Sequence, residues 1–165
     1  MPLIANFSPP TQQEDTTDGI ASFASMVVIS ADESSVWVSN PDAGSISWID
    51  GKKLEKKAEI QVGSEPGSLL LSPDESELYV VDRANGVIVF VDTDIFTVTG
   101  VLITGAEVES LALAPSGKQA YATVKARSEV AIIDLDNRQI IHRVPTASMP
   151  YAIAVSDDGD AEDSD

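Results

Sequence analysis

The feature that most constrains the fold of this chain is an internal repeat with a period of 42 residues. A short turn motif follows an apolar run at four evenly spaced places: Ser30-Ala31-Asp32, Ser72-Pro73-Asp74, Ala114-Pro115-Ser116 and Ser156-Asp157-Asp158. The same period separates an aromatic series (Trp37, Tyr79, Tyr121) and an aspartate series (Asp50, Asp92, Asp134). Because these markers keep one register without a gap, they indicate one supersecondary unit repeated along the chain.

The residue pattern within one unit predicts four β-strands. Residues 68–71 form a short apolar run, which is typical of a strand buried on both faces. Residues 78–81 and 87–91 are rich in β-branched and aromatic side chains, and turn residues separate these runs. Residues 96–103 alternate in polarity, which predicts a fourth strand with one face in water. Four short strands in a repeated unit of this length predict an all-β fold made of β-propeller blades.

One motif within the unit is similar to that of a known family. It occurs as Trp37-Val38-Ser39-Asn40, Tyr79-Val80-Val81-Asp82 and Tyr121-Ala122-Thr123-Val124. These segments resemble the Tyr-Val-Thr-Asn element of the YVTN β-propeller repeats, and Gly63-Ser64-Glu65-Pro66 before the next unit fits the same family. The resemblance covers about residues 25–156 and implies an extracellular or periplasmic protein with a binding or surface role. Related propellers include sugar lactonases and quinoprotein dehydrogenase-like domains.

The repeat divides the chain into three parts. Residues 1–24 are an N-terminal extension, 25–156 are the repeats, and 157–165 are an acidic tail that we expect to be disordered. The repeats are the units 25–66, 67–108 and 109–150 and a partial unit at 151–156. A closed propeller takes about four to eight blades, so three units and one strand do not close a ring.

Three explanations for the incomplete ring remain open. The chain is part of a longer protein, or it forms a homo-oligomeric ring with copies of itself. The third explanation is that the N-terminus supplies strands at 3–7 and 16–21 to a blade that both termini share.

The charge and composition exclude several classes of partner and site. The chain has 27 acidic and 10 basic side chains, a net charge of −17, whereas nucleic acids and anionic membranes bind clustered Lys and Arg. It has no Cys and one His, which excludes a thiolate metal site and a His-rich zinc site. We therefore expect a protein, a glycan or a small polar ligand as partner, and no cofactor. The first ten residues lack a signal-peptide pattern, so the extracytoplasmic location is implied by the resemblance alone.

The predicted ligand-binding residues lie in loops. In blades of this kind, the loops after the second and fourth strands gather at one mouth of the central channel. There we predict a ligand-binding site of three basic and three acidic residues: Arg83, Lys125, Arg127, Glu65, Glu107 and Glu109. Alternating charge at a channel mouth suits a polar ligand, and the competing interpretation is that these are solvated loop charges in weak pairs.

No residue pattern assigns a catalytic group or a metal site. His142 falls in a predicted fourth strand, at the outer edge of a blade and far from the channel. We predict that the repeated Asp50, Asp92 and Asp134 cap the turn after the third strand. A residue that recurs in every blade is expected to serve the structure of the blade. The sequence therefore favours a non-catalytic scaffold or binding module.

The alternative function is that of a fragment of a propeller enzyme, either lactonase-like or quinoprotein dehydrogenase-like. Glu65, Glu107 and Glu109 would then form part of an active site. Arg83 and Lys125 would orient an anionic substrate in it.

Overall fold

The computed structural model describes residues 26–105 and 107–155, which form three four-stranded antiparallel sheets. Blade 1 consists of β1 (Val27–Ile29), β2 (Ser35–Asn40), β3 (Ser45–Asp50) and β4 (Glu55–Gln61). Blade 2 consists of β5 (Pro66–Leu71), β6 (Glu77–Asp82), β7 (Val87–Asp92) and β8 (Thr97–Ile103). Blade 3 consists of β9 (Val108–Leu113), β10 (Gln119–Val124), β11 (Glu129–Asp134) and β12 (Gln139–Pro145). The predicted all-β fold of four-stranded blades is confirmed.

The strand pairing repeats from blade to blade. In each sheet the strands pair in chain order, and the register between the third and fourth strands shifts after Trp48, Phe90 and Ile132. These three positions are 42 residues apart, so the bulge belongs to the repeat.

The predicted role of the recurring aspartates is confirmed, because each one caps the turn after its third strand. Asp92 Oδ1 accepts the backbone N–H groups of Asp94 and Ile95 at 2.9 and 3.0 Å. Asp50 accepts from Lys52 and Lys53 in the same way, and Asp134 accepts from Asn137. Hydrogen bonds to a carboxylate stabilise its charged form, so the pKa values of Asp50 and Asp134 lie below their usual 3.8.

The core lies between the blades, and blade 2 is buried on both of its faces. Leu78, Val80, Val89 and Val91 pack with residues of blade 1. Their neighbours in the strands, Tyr79, Val81, Ile88 and Phe90, pack with residues of blade 3. This division follows from the alternation of side chains along a strand, and it makes blade 2 the centre of both apolar clusters.

The first strand of each blade lies toward the shared axis. β5 contacts both β1 and β9, and β2 contacts β5 across the first interface. The three first strands are thus neighbours, as expected for strands that line the central channel of a propeller.

One predicted strand is not formed. Residues 151–155, expected to be the first strand of a fourth blade, carry no strand assignment. A strand needs a hydrogen-bonded neighbour, and the second strand of a fourth blade is absent from the described residues. The N-terminal extension, the strands predicted within it, and residues 156–165 lie outside the described residues. Among residues 26–105 and 107–155, no helix is long and apolar enough to cross a membrane.

Candidate functional site

Five of the six predicted site residues form a single row of alternating charges. Arg83 Nη2 lies 2.9 Å from Glu65 Oε1, and Arg83 Nη1 lies 3.4 Å from Glu109 Oε1. Lys125 Nζ lies 3.6 Å from Glu107 Oε1 and 3.8 Å from Glu109 Oε2. We call Glu65, Arg83, Glu109, Lys125 and Glu107, in this order, the charge row. Glu109 stands at its centre and is shared by both cations.

The repeat positions the charge row through backbone hydrogen bonds. The N–H of Arg83, just after β6, donates to the carbonyl of Glu65 at 3.0 Å. The N–H of Lys125, just after β10, donates to the carbonyl of Glu107 at the same distance. In an antiparallel blade the loop after the second strand and the loop before the first strand lie at the same end of the sheet. The same backbone hydrogen bond between these two loops forms in blade 2 and in blade 3, and it brings both cations to the channel mouth.

The members of the charge row differ in their exposure. The Glu109 side chain is only 7% exposed, whereas those of Glu65 and Glu107 are 48% and 46% exposed. A buried carboxylate needs opposite charge close by, so Arg83 and Lys125 are engaged in neutralising Glu109. The row contains three carboxylates and two cations, and its most exposed members are acidic. The row itself therefore presents carboxylates, and not cations, as its most exposed groups to a partner.

Gly67 gives Arg83 the space to reach across the mouth. It occupies the repeat position of Glu109, one period earlier. A Cβ added at Gly67 would lie 3.2 Å from Arg83 Nε and 3.3 Å from its Cδ, so the arginine side chain lies directly across the backbone there. A small residue at this position thus makes the contact between Arg83 and Glu109 possible.

A small cavity opens beside the charge row. Its volume is about 190 Å³, and Ser68, Ser110 and Tyr151 line it together with Arg83 and Glu109. Lys125 Nζ lies 6.0 Å from the centroid of the Tyr151 ring. The lining combines charges and hydroxyls with one aromatic ring, which suits a polar group carried on an apolar stem.

Arg127 is not brought into the charge row. It lies on the exposed side of its loop, and its Nη2 donates to the carbonyl of Gly105 at 3.3 Å. His142 lies on β12 and is exposed, as predicted for an outer strand. In the described part of the chain, no three His, Asp or Glu side chains come together in a way that could hold a metal ion.

Sequence reasoning missed Asp82 as a residue that shapes the mouth. Asp82 is fully buried, and its carboxylate accepts the backbone N–H groups of Ser64 and Glu65, both at 3.0 Å. It also accepts a hydrogen bond from Asn85 Nδ2 at 2.6 Å. Burial opposes the ionised form, but these hydrogen bonds outweigh it and hold the pKa of Asp82 below its usual value.

Asp82 and Gly63 together hold the loop that carries Glu65. A Cβ added at Gly63 would overlap the Asp82 carboxylate, so only glycine leaves room for this clamp. The signal in the sequence is the fourth residue of Tyr79-Val80-Val81-Asp82, which lies between the strand-like runs 78–81 and 87–91 and is therefore typical of a turn. The equivalent position in blade 3 is Val124, so the loop before β9 lacks this carboxylate.

Comparisons with solved structures identify the class of fold. Hydrazine synthase from Kuenenia stuttgartiensis matches with a TM-score of 0.76 and 20% identity, over 85% of this chain and 41% of that one. The RRP9 WD40 repeats match with a TM-score of 0.72 and 18% identity, over 81% of this chain and 42% of that one. The Cps50 (Swd1) β-propeller domain of Myceliophteria thermophila matches with a TM-score of 0.70 and 12% identity, over 79% and 46%.

These comparisons show that the described residues form part of an all-β propeller. At such low identity they show the fold alone, and the resemblance to one enzyme assigns no activity to this chain. The chain spans less than half the length of the three structures. Neither a protein-family model nor a curated protein sequence matches it.

Proposed function

We propose that this chain is a non-catalytic β-propeller scaffold or binding module that binds a protein partner at the channel mouth. The observation that carries the proposal is the charge row, in which loops of blades 2 and 3 converge on the buried carboxylate of Glu109. Loops held by a rigid scaffold are common sites of recognition, and WD40-type propellers are among the structures that resemble this chain.

The partner surface that best fits the mouth is a basic protein segment. Each cation of the row faces two carboxylates, so neither is free to orient an anionic ligand. Glu65 and Glu107 are the half-exposed members, and the whole chain carries a net charge of −17. Complementary charge would steer a Lys- or Arg-bearing segment to this face and raise its association rate.

We further propose that the repeat is of the YVTN type and that the protein acts outside the cytoplasm. Support for the repeat type comes from the motif Tyr79-Val80-Val81-Asp82 and from the Ser72-Pro73-Asp74 turn before it. The location is implied by the family resemblance.

The experiment that tests the binding proposal uses an array of random 12-residue peptides sorted by net charge. The labelled chain should bind peptides rich in Lys and Arg. The double variant Glu65→Gln, Glu107→Gln should bind them about five-fold more weakly, because each exposed charge contributes roughly 0.5 kcal/mol. Raising the salt concentration should weaken binding further.

The matched control removes two exposed carboxylates elsewhere, with Glu33→Gln and Glu55→Gln. This control should stay within about two-fold of the unmodified chain. Equal losses in both double variants would mean that overall charge attracts the peptides, and preferential binding of acidic peptides would contradict the proposal.

A further inference from the structure

Blade 1 has an apolar face that neither of the other two described blades covers. In blade 2 the same repeat positions pack against blade 1. Val27 and Leu54 on this face are 49% and 82% exposed, whereas their equivalents one repeat later, Leu69 and Phe96, are 0% and 5% exposed. Side chains of this face line an open depression of about 610 Å³. We call this surface the entry face, and its apolar residues are Val27, Ile29, Val36, Val38, Ile49 and Leu54.

Blade 3 has an uncovered apolar face on its opposite side. Its residues stand one repeat after the blade 2 residues that pack with blade 3. We call this surface the exit face, and its apolar residues are Tyr121, Val130, Ile132 and Val144. Each face therefore carries the residue positions that build one half of a blade interface elsewhere in the same chain, and exposed apolar patches of this kind mark interaction sites.

One residue of each unit reaches from its own blade onto the blade before it. In blade 2 this residue is Phe96, whose ring centroid lies 5.5 Å from that of Trp48. In blade 3 it is Arg138, whose guanidinium lies 4.6 Å from the centroid of the Phe90 ring. In blade 1 it is Leu54, and all three have a positive φ, between 49° and 58°, which is uncommon for residues other than glycine. Leu54 is thus held in the same backbone conformation, with no described blade for its side chain to contact.

The apolar contacts of the entry and exit faces are complementary. Trp48 and Phe90, the residues that receive this contact, have Ile132 as their equivalent on the exit face. Leu54 would therefore pack on Ile132, an aliphatic side chain on another one. Both side chains would be removed from water by such packing, which is favourable.

The charges of the two faces are complementary as well. In the cleft between blades 1 and 2, Ser34 of blade 1 and Glu75 of blade 2 line opposite walls. The residue at the position of Ser34 in blade 3 is Lys118, and the residue at the position of Glu75 in blade 1 is Glu33. Both of these charged residues are exposed. An exit face packed on an entry face would thus bring Lys118 and Glu33 into one cleft, where opposite charges attract.

We propose that the entry face of one copy of this chain packs against the exit face of a second copy, so that two chains form a closed ring of six blades. A two-fold pair contains this contact twice and leaves neither face uncovered. Six blades lie within the four to eight of closed propellers. Two entry faces packed on each other would bring Glu33 close to its own copy. Blades of a different chain would not require the two open faces of this chain to complement each other.

Sedimentation velocity of the full chain, from roughly 1 to 100 µM, tests the proposal. The expected result is a single species with twice the mass of one chain at the upper concentrations. The variant Leu54→Asp should weaken dimerisation at least about ten-fold, because a carboxylate would be buried against an apolar side chain. Aspartate accepts a positive φ better than leucine does, so the blades should remain folded, as circular dichroism can verify.

Ile95→Asp is the matched control. Ile95 is 70% exposed and lies in the same turn one repeat later, next to Phe96, but blade 2 already has a neighbour on each face. This variant should dimerise within about two-fold of the unmodified chain.

Charge reversal tests which faces meet. Glu33→Lys alone and Lys118→Glu alone should each weaken dimerisation about five-fold, because repulsion replaces attraction in both contacts of the pair. An equimolar mixture of the two variants should dimerise within about two-fold of the unmodified chain, because each contact in the mixed pair again joins opposite charges.

Four results would overturn the proposal. A monomer at roughly 100 µM would mean that a second copy does not cover the two faces, and a species larger than two copies would contradict the six-bladed ring. Equal weakening by Leu54→Asp and Ile95→Asp would place the dimer contact elsewhere. A mixture of the charge variants that dimerises no more tightly than either one alone would contradict the pairing of entry and exit faces.

Discussion

The two interfaces join blades that share one internal strand register, but they are built from different side chains. Between blades 1 and 2, Trp37 stacks on Trp48, and Phe96 packs against Trp48 with ring centroids 5.5 Å apart. Between blades 2 and 3, Tyr79 meets Phe90 edge to face at 5.6 Å, and small alanines of blade 3 complete the contact. Both arrangements belong to buried apolar clusters between neighbouring blades.

The ends of the two interfaces differ more than their centres. At the channel mouth, the Asp82 carboxylate holds the loop between blades 1 and 2, whereas in the next loop Arg127 Nη2 donates to the carbonyl of Gly105. At the opposite end, the paired Glu77 lines a cleft of about 260 Å³ between blades 2 and 3, whereas the cleft between blades 1 and 2 is about 370 Å³ and has the uncharged Ser35 at the same repeat position. The repeat thus sets where the blades meet, and the individual side chains set what the ends of each interface can bind.

The largest loss of stability is expected when a large buried side chain of blade 2 is truncated. Phe90→Ala should lower the free energy of unfolding by about 3–5 kcal/mol, because a fully buried aromatic ring is replaced by a cavity. Ile132→Ala changes the same repeat position in blade 3, where the side chain is only partly buried, and should cost about 1–2 kcal/mol. Urea unfolding of the two variants measures the difference, and equal losses would mean that the blades are equally buried in solution.

An intermediate loss of stability is expected when the Asp82 carboxylate, which holds the loop before β5, is replaced. Asp82→Asn should cost about 2 kcal/mol at neutral pH, because the amide cannot accept from Ser64 and Glu65 with both of its terminal atoms. Asp42→Asn removes an exposed carboxylate from the loop before β3 and should cost under about 0.5 kcal/mol.

The loss of stability caused by Asp82→Asn should become smaller as the pH falls. The folded pKa of Asp82 lies below its usual 3.8, so its stabilisation is complete above that value and is lost as the pH falls through the folded pKa. The gap in stability between the unmodified chain and Asp82→Asn should therefore narrow below about pH 4 in thermal unfolding. A gap that stays constant as the pH falls would contradict the role of the ionised carboxylate.

The smallest effect is expected at the ion pair of Arg138 and Glu77 between blades 2 and 3. Arg138→Met removes the contacts with Glu77 and with the Thr99 carbonyl, and should cost about 1 kcal/mol because the guanidinium is partly exposed. Arg127→Met, which loses one long hydrogen bond, should cost under about 0.5 kcal/mol. The loss at Arg138 should shrink when thermal unfolding is repeated in roughly 1 M salt, since salt screens exposed pairs. An unchanged loss would mean that packing on Phe90 carries the effect.

Local features of the fold could be predicted because each depends on a few neighbouring residues. The turn caps at Asp50 and Asp92 bond to groups two and three residues away, so the sequence shows both partners together. The charged loop residues were also identifiable, since the repeat places Arg83 and Lys125 at equivalent positions.

Contacts between blades could not be predicted in the same way. Glu109 is shared by cations 26 residues before it and 16 residues after it. The repeat relates Arg83 to Lys125, but it gives no sign that Glu109 lies between them. The predicted strand at 151–155 was wrong because a strand pattern says nothing about whether a pairing partner is present.

The sequence by itself determined the period, the four strands of each unit and the turns that join them, because alternation and turn chemistry act over a few residues. Only the tertiary structure decided that Glu109 is buried between two cations and that Asp82 holds a loop 18 residues away. The physical reason is that these outcomes depend on non-equivalent side chains meeting across blades. The energies of burial and of ion pairing at these contacts depend on distances between side chains that only the folded chain brings together.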